Sequence, residues 1–422
     1  MRTRTLLERK TIEEGIALGK TYGELSKTLN LSLRVVRKWG QKVKKNESLL
    51  SVMGRPKTGL LSSFSSQVVQ QIELYRPPEN ISGWSGKTIA VELSLEPKLV
   101  SEKLPSVSSI TNYLSKRGKI RQHRQHSNLP SERFVEAVYA HKLWQLDSEG
   151  IKQVKDVGWT CFINVKDVAK KVYVMTYPCC LKTASNHPKT GDYQHTLRLG
   201  FMEWGMPEHL QTDHESAFFD NKTKSPFPTP LHLWLIGLNI GLHFTPVGKP
   251  QKQGAVEKTH QTLHRQVSNG TCFDSQKSLF DFTQQRRQRL NEHIPSVVTQ
   301  NLPPLVANPD ARFSNRHYAP EQEKDIFDLI LIYNYLAKGL WYRRIAPNKT
   351  FSLGGLLYHL PNAEPNKDVQ IRFNRDQLAF DCFDADGKLI DYVKAKGLSF
   401  NELGADLDSF TKWTNDALLF KH

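Results

Sequence analysis

From His141 to Val267 the hydrophobic period of the chain switches repeatedly, and no other stretch restricts the fold as much. His141-Lys-Leu-Trp-Gln-Leu-Asp147 reads as a strand ending in Asp, and Trp159 to Val165 with Lys171 to Tyr177 reads as a β-hairpin around Asp167-Val-Ala-Lys170. A helical pattern covers Tyr193 to Trp204, Glu208 to Asp213 is a second strand ending in Asp, and Leu231 to Asn239 is an apolar helix. A strand from Leu242 to Val247, a glycine- and proline-bearing loop from Gly248 to Gly254 and a helix carrying Glu257 complete the series. An opening antiparallel meander followed by alternating strands and helices predicts an α/β unit, a mixed sheet flanked by helices. In such a sheet the ends of the first and fourth strands can lie side by side. Asp147 and Asp213 then meet although 65 residues intervene, and a helix packed on the sheet can bring Glu257 to the same point.

Each carboxylate alone has an ordinary reading. A Glu in the first turn of a helix suits the positive end of the helix dipole, and Asp167 and Asp220 sit where Asp bonds its own backbone in turns. Three carboxylates at one point, however, form a site for a hard divalent cation. Mg²⁺ takes a few carboxylates and keeps several waters. Two such ions about 3.5 to 4 Å apart can activate an attacking oxygen and stabilise a leaving one in phosphoryl transfer. Two Mg²⁺ ions, with Mn²⁺ able to substitute, are therefore expected on Asp147, Asp213 and Glu257. Glu149 and Glu215 lie near these positions, either as partners of the ligands or, as we prefer from sequence, as solvated loop residues.

The 422 residues suggest about three domains of 100 to 200 residues each. Between Met1 and Leu60 there are 14 Lys/Arg against 5 Asp/Glu, within a chain of formal charge +16, which is the profile of a polyanion-binding segment. Three short helices are expected there. The last, capped by Ser32, carries Leu33, Val36 and Trp39 on one face and Arg34, Arg37 and Lys38 on the other, a helix-turn-helix pattern suited to the major groove of double-stranded DNA. A second helical block spans Ser65 to Leu114, with a recognition helix starting near Ser106, and the basic connector Lys116, Arg117, Arg121 follows. His123 and His126 read as linker residues, since no cysteine pair lies near them. The five cysteines form neither a metal nor a disulfide framework, and no apolar run is long enough for a membrane span or a leader. A protein that stays in the reducing compartment where it is made, with no membrane partner, is expected.

Three blocks carry a resemblance. Trp144-Gln-Leu-Asp147, Gln211-Thr-Asp213-His-Glu-Ser-Ala-Phe218 and Gly248-Lys-Pro-Gln-Lys-Gln-Gly254-Ala-Val-Glu257-Lys resemble the signature blocks of the retroviral-integrase superfamily, the DDE transposases of bacterial insertion sequences or Mu-like elements. The resemblance covers about residues 10 to 300 and implies an RNase H-like catalytic core with Asp147, Asp213 and Glu257 as metal ligands. It departs in three places. His264, with Arg265 beside it, stands where relatives carry a DNA-touching Lys or Arg; His214-Glu215 replace the Asn-Gly or Asp-Gly that often follows the second Asp; and 44 positions separate Asp213 from Glu257, longer than is common. Asn221 to Pro230 is the expected insertion, a surface loop that can face DNA. Lys249, Lys252, Lys258, His264 and Arg265 are candidate DNA contacts around the third carboxylate.

After the core, Ser278 to Glu292 is a polar helix, Glu321 to Ala337 an amphipathic one, and five short strands from Thr350 to Val393 suggest a small β-barrel. That barrel resembles the C-terminal one of Mu-type transposases and makes Arg343, Arg344 and Arg372 candidate DNA contacts. The expected architecture is multidomain: helix-turn-helix domains at 1–50 and 60–122, an RNase H-like mixed-sheet core at 136–297, a helix plus small β-barrel at 321–400 and a C-terminal tail at 401–422 that can dock on another protomer. The resemblance implies a transposase that binds transposon ends, frees 3′-OH ends and joins them to target DNA by transesterification. It further implies a homo-oligomer assembled on DNA and accessory transposition proteins. A catalytically silent DNA-binding regulator of transposition, and a metal-dependent nuclease without strand transfer, are the alternatives.

Overall fold

Helix formation at the N-terminus depends on tertiary burial rather than on length. A computed structural model describes residues 6–47, 49, 59–77, 83–117, 136–245, 254–267, 271–404 and 407–419; at 6, 254–258, 264 and 415–419 the description is of the backbone alone. The chain divides into two compact units, Met1–Ser63 and Phe64–His422. The first holds α1 (Leu6–Ala17), α2 (Tyr22–Thr28) and α3 (Leu33–Lys44). At 7 residues α2 is far below the roughly 12 to 15 that an isolated helix needs in water. It is started by a capping box in which Thr21 and Glu24 satisfy each other's backbone N–H. Leu25 then joins Ile12, Leu31, Val36 and Trp39 in one core, each side chain contributing about 1.5 to 3 kcal/mol by burial. Ser32 occupies the N-cap of α3, but its hydroxyl makes no capping bond, contrary to expectation. Arg34, Arg37 and Lys38 are exposed.

The second unit begins with α4 (Ser66–Tyr75), α5 (Gly86–Leu95) and α6 (Val107–Lys116). Each starts at a serine, Ser65, Ser85 or Ser106, whose hydroxyl accepts the N–H three residues on. The third confirms the helix start expected near Ser106.

The mixed sheet follows: β1 (Leu143–Ser148), β2 (Lys152–Val154), β3 (Gly158–Asp167), β4 (Tyr173–Leu181), α7 (Thr190–Trp204), β5 (His209–Thr212), α8 (Pro230–Gly237), β6 (Gly241–Phe244), α9 (Gly254–Val267) and α10 (Gln276–Glu292). β4 pairs with one edge of β3, β1 and β2 share the other, and the sheet continues through β5 to β6. The first pairings are antiparallel, whereas β1–β5 and β5–β6 are parallel. This is the expected order with β2 added. Asp167 closes the β3–β4 turn, accepting Lys170 N–H at 2.6 Å and His141 N–H at 2.7 Å. Trp144, Leu146, Ile163, Val165 and Leu210 face α7, where Tyr193, Leu197 and Phe201 complete the core. Side chains alternate along a strand. Gln145, Asp147 and Gln211 therefore face the other side, on which α9 packs against β1 and β3.

Two C-terminal expectations are corrected. The amphipathic stretch is not one helix: α11 (Pro304–Ala307) is followed by α12 (Glu323–Ile326), and Asp328 starts α13 (Leu329–Leu336) by accepting Ile330 N–H at 2.7 Å. The strands β7 (Trp341–Arg344), β8 (Thr350–Leu353), β9 (Leu356–His359), β10 (Asp368–Asn374), β11 (Ala379–Phe383) and β12 (Leu389–Lys394) form no closed barrel. Instead β12-β11-β10-β7 is an open antiparallel sheet and β8-β9 a separate hairpin. That hairpin turns at Gly354 and Gly355, both at positive φ (60° and 79°), a two-residue turn that only glycine adopts without strain. The chain ends in α14 (Phe400–Leu403) and α15 (Leu407–Leu419). The C-terminal helix packs on its own chain, Phe410 and Trp413 lying 5.0 and 4.8 Å from the His195 ring. Among the described residues no helix is long and apolar enough to cross a membrane.

Candidate active site

The parallel register of β1 and β5 brings the two aspartates together. Gln145 is the backbone partner of Gln211, and each strand reaches its Asp two residues later, Asp147 and Asp213. A step of two preserves the face of a strand, so Asp147 stands on the α9 side, and Asp213 is the first residue beyond β5. The side chains one pleat below report the same alignment: buried Gln145 Nε2 donates to Gln211 Oε1 at 3.1 Å, and Gln211 Nε2 donates to Thr245 Oγ1 at 3.3 Å. The repeated Gln-x-Asp was present in the sequence as the signal for this ladder.

Above that ladder, α9 carries position 257 in its first turn and His260 one turn further on. His260 Nε2 stands 3.8 Å from Asp147 Oδ2, both side chains mostly buried. Burial pushes the His260 pKa below its ordinary value, opposed by Glu149 and by a bond to the Asp147 backbone. The shift favours the neutral imidazole, and among the described residues its Nε2 has no hydrogen-bond partner. Sequence reasoning missed His260, although it lies three residues after Glu257, the spacing that shares a helix face.

The neighbouring carboxylates differ in environment. Glu149 pairs with Lys152. Glu215 is not a solvated loop residue: it accepts from Tyr193 OH and from Ser148 Oγ at 3.3 and 3.4 Å, while its backbone N–H donates to Asp213 Oδ1 at 3.0 Å. Burial raises the Glu215 pKa, with Asp213 adding to the effect. Asp220 bonds Lys222 N–H and Thr223 Oγ1 within its own turn.

The donor set suits a hard divalent cation. Asp147 and Asp213 put carboxylate oxygens, the donor type such a cation takes, at the carboxyl ends of adjacent parallel strands, where α/β sheets place their sites. Among the described residues no three His, Cys, Asp or Glu side chains converge as a complete metal cage. The Glu257 side chain lies outside the described residues, as do those of Lys258 and His264, while Arg121, Lys249, Lys252, His123 and His126 lie outside them entirely.

Other candidates are distributed unevenly. Lys116, Arg117, Arg344 and Arg372 are exposed and Arg265 half-buried. Arg117 pairs with Glu73 at 2.8 Å across the Tyr113 ring. Arg343 is a tether rather than a free cation. It donates to Ser352 O and Ser225 O at 2.8 and 2.7 Å, and burial lowers its pKa. The Asn221 to Pro230 segment is correspondingly not all surface. Its tip at Asn221 to Lys224 is exposed, but Phe227 is buried against Trp341 and Phe380.

α9 is also fastened at its far end. Gln266 accepts from Arg286 at 2.6 and 3.1 Å and donates to Thr88 at 3.2 Å, and its carbonyl accepts Trp84 Nε1 at 3.0 Å. Arg286 stacks on Trp84 and pairs with Glu92 at 2.8 Å. The α4–α6 block is therefore docked directly on α9 and α10.

No protein-family model matches the chain. Among solved structures it is similar to the catalytic core domain of HTLV-2 integrase in complex with magnesium, at 13% identity and TM-score 0.30, over 41% of this chain and 99% of that one. It is similar to the catalytic core domain of BIV integrase at 14% identity and TM-score 0.30, over 41% and 96%. It is also similar to a chain of the simian T-cell lymphotropic virus intasome in complex with PP2A regulatory subunit B56 gamma, at 14% identity and TM-score 0.33, over 69% and 92%.

Proposed function

We propose that the chain is a DDE-type transposase of a bacterial insertion sequence or Mu-like element, a metal-dependent polynucleotidyl transferase that cuts element ends and joins them to target DNA. The observation that carries the reading is the parallel register of β1 and β5, in whose last pair Gln145 and Gln211 each precede an aspartate by two residues, with His260 of α9 at 3.8 Å from Asp147. Asp147, Asp213 and Glu257 would hold two Mg²⁺ ions, or Mn²⁺ in their place. Bound there, the metals supply Lewis-acid activation of the attacking oxygen and charge stabilisation at the leaving oxygen. The chain's own contribution is positioning. The Gln145–Gln211 bond holds β1 and β5 in register below the aspartates, α9 brings up the third carboxylate, and His260 lines Asp147.

In this reading α1–α3 and α4–α6 are helix-turn-helix units for double-stranded element ends. Exposed Arg34, Arg37 and Lys38 meet phosphates in the first, and Lys116, Arg117 and Arg121 in the second. Lys249, Lys252, Lys258, His264, Arg265 and Arg344 are the further DNA contacts in this reading. A homo-oligomer assembled on DNA holds two ends together, accessory transposition proteins assist it, and it works at the nucleoid of a prokaryotic cytoplasm.

The test is a labelled element-end duplex incubated with the chain and Mg²⁺ or Mn²⁺. Nicking at the end followed by attack of the new 3′-OH on a second duplex supports the proposal. Nicking without joining means a nuclease, and end binding without nicking means a silent regulator.

A further inference from the structure

We infer that Glu215 is a positioning residue that sets the separation of Asp147 and Asp213, an inference that rests on reading those two aspartates as metal ligands. Glu215 touches the machinery from both sides. Its backbone N–H donates to Asp213 Oδ1 at 3.0 Å, which fixes the rotation of that carboxylate. Its side chain accepts from Ser148 Oγ at 3.3 and 3.4 Å, and Ser148 is the residue that follows Asp147 on β1. One residue thus joins the end of β5 to the end of β1 just beyond the last backbone pair of the two strands, Gln145 and Gln211.

The direction of approach separates positioning from ligation. Ser148 follows Asp147 by one residue, so its side chain faces the opposite side of the sheet. Tyr193, which also donates to Glu215, is fully buried in α7 and packs edge-on against buried Phe218 at 4.9 Å. Glu215 is therefore held behind the strand ends, on the α7 side, while Asp147 faces α9. Its carbonyl also accepts Phe218 N–H and Phe219 N–H at 2.9 and 3.0 Å, so the turn that leaves the site starts from the same residue. A buried carboxylate is costly unless its oxygens are satisfied. The hydroxyls of Tyr193 and Ser148 satisfy these, one from α7 and one from β1. Outer partners of this kind typically change metal affinity by about 10 to 100-fold when removed.

The experiment measures Mn²⁺ affinity calorimetrically on the full chain without DNA, for wild type, Glu215→Ala, Glu215→Gln, Asp147→Asn and Asp213→Asn. Circular dichroism and thermal melting verify each fold. The expected result is a loss of about 10 to 100-fold for Glu215→Ala, substantial recovery in Glu215→Gln, whose amide oxygen still accepts from a hydroxyl, and unchanged binding to element-end DNA. Should Glu215→Ala not fold, Ser148→Ala with Tyr193→Phe carries the same expectation. Mn²⁺ binding that Asp147→Asn abolishes but the folded Glu215 or Ser148/Tyr193 variants leave at wild-type affinity overturns the role of Glu215 alone. Binding indifferent to Asp147→Asn and Asp213→Asn overturns the ligand reading and this inference with it.

Discussion

Nε2 of His260 stands 3.8 Å from Oδ2 of Asp147, which ties the rotation of α9 to the end of β1. Residues three apart on a helix share a face, so position 257 lies on the side of α9 that is turned toward that strand. The far end of the helix is held by Gln266 and Arg286. α9 is thus anchored at its far end and contacts the end of β1 through His260, so Asp147 and position 257 come from regular elements, while Asp213 directly follows β5.

The docking of the α4–α6 block is the first point at which this arrangement can be broken. Arg286→Met would leave Glu92 and Gln266 without their buried partner. Loss of one member of such a pair costs about 3 to 5 kcal/mol. Urea unfolding should show a loss in that range, and hydrogen exchange should accelerate in 259–267.

A second buried ion pair secures the C-terminal half. Arg198 holds Glu323 through two bonds of 2.7 and 2.8 Å, and Trp234 Nε1 and Tyr318 OH donate to the same carboxylate. Both charged side chains are essentially inaccessible to water. Glu323→Gln should destabilise by several kcal/mol, on the order of 3 to 5, read as a lower urea midpoint. An Arg198→Met/Glu323→Met double variant should lose less than the sum of the single changes.

Arg343 and Arg344 should separate cleanly despite being adjacent. The carbonyl bonds of Arg343 predict that Arg343→Ala lowers stability by about 1 to 3 kcal/mol while leaving the salt dependence of DNA binding unchanged. Arg344→Ala and Arg37→Ala should leave stability alone and each reduce the slope of log affinity against log salt by about one. Salt titrations of end binding, paired with melting curves, check both halves.

Acid sensitivity should arise partly at His195, enclosed by Tyr177, Phe410 and Trp413 and lowered by burial from 6.5 to about 4. Between those values the unfolded chain binds more protons than the folded one, so stability rises with pH through that window. The contribution is complete above the unfolded value and is lost as pH falls toward 4, at about 1.4 kcal/mol per unit. His195→Phe should flatten the acid limb of stability measured from pH 7 to 4.5, by roughly that slope. A steeper limb would contradict the assignment.

Much of this was legible in the chain because the relevant signals are local. The alternation after His141 predicted the mixed sheet, and each strand-terminal Asp fell where a parallel register could pair it. The helical block beginning at Ser65 and the helix start near Ser106 were readable for the same reason, whereas the cap at Ser85 was not singled out. Long-range satisfaction was not. Glu215 looked solvated because nothing nearby in sequence announces Tyr193 or Ser148 as its donors. Arg343 looked like a DNA contact because its acceptors, Ser225 and Ser352, come from separate loops. The break between α12 and α13 follows from Glu323 being drawn into the core by Arg198, 125 residues away, against a helical period that continues through it. The barrel failed because five alternating segments specify strands but not closure, and here the hairpin β8-β9 stands apart.

The most direct measurement is joining of a labelled element-end duplex to a second duplex in Mg²⁺, comparing wild type with Asp147→Asn, Asp213→Asn and Glu257→Gln at matched end binding. The account predicts joining by the wild type and its loss in all three variants with the end complex intact. Joining retained by any one of them would contradict a single metal site built from these carboxylates.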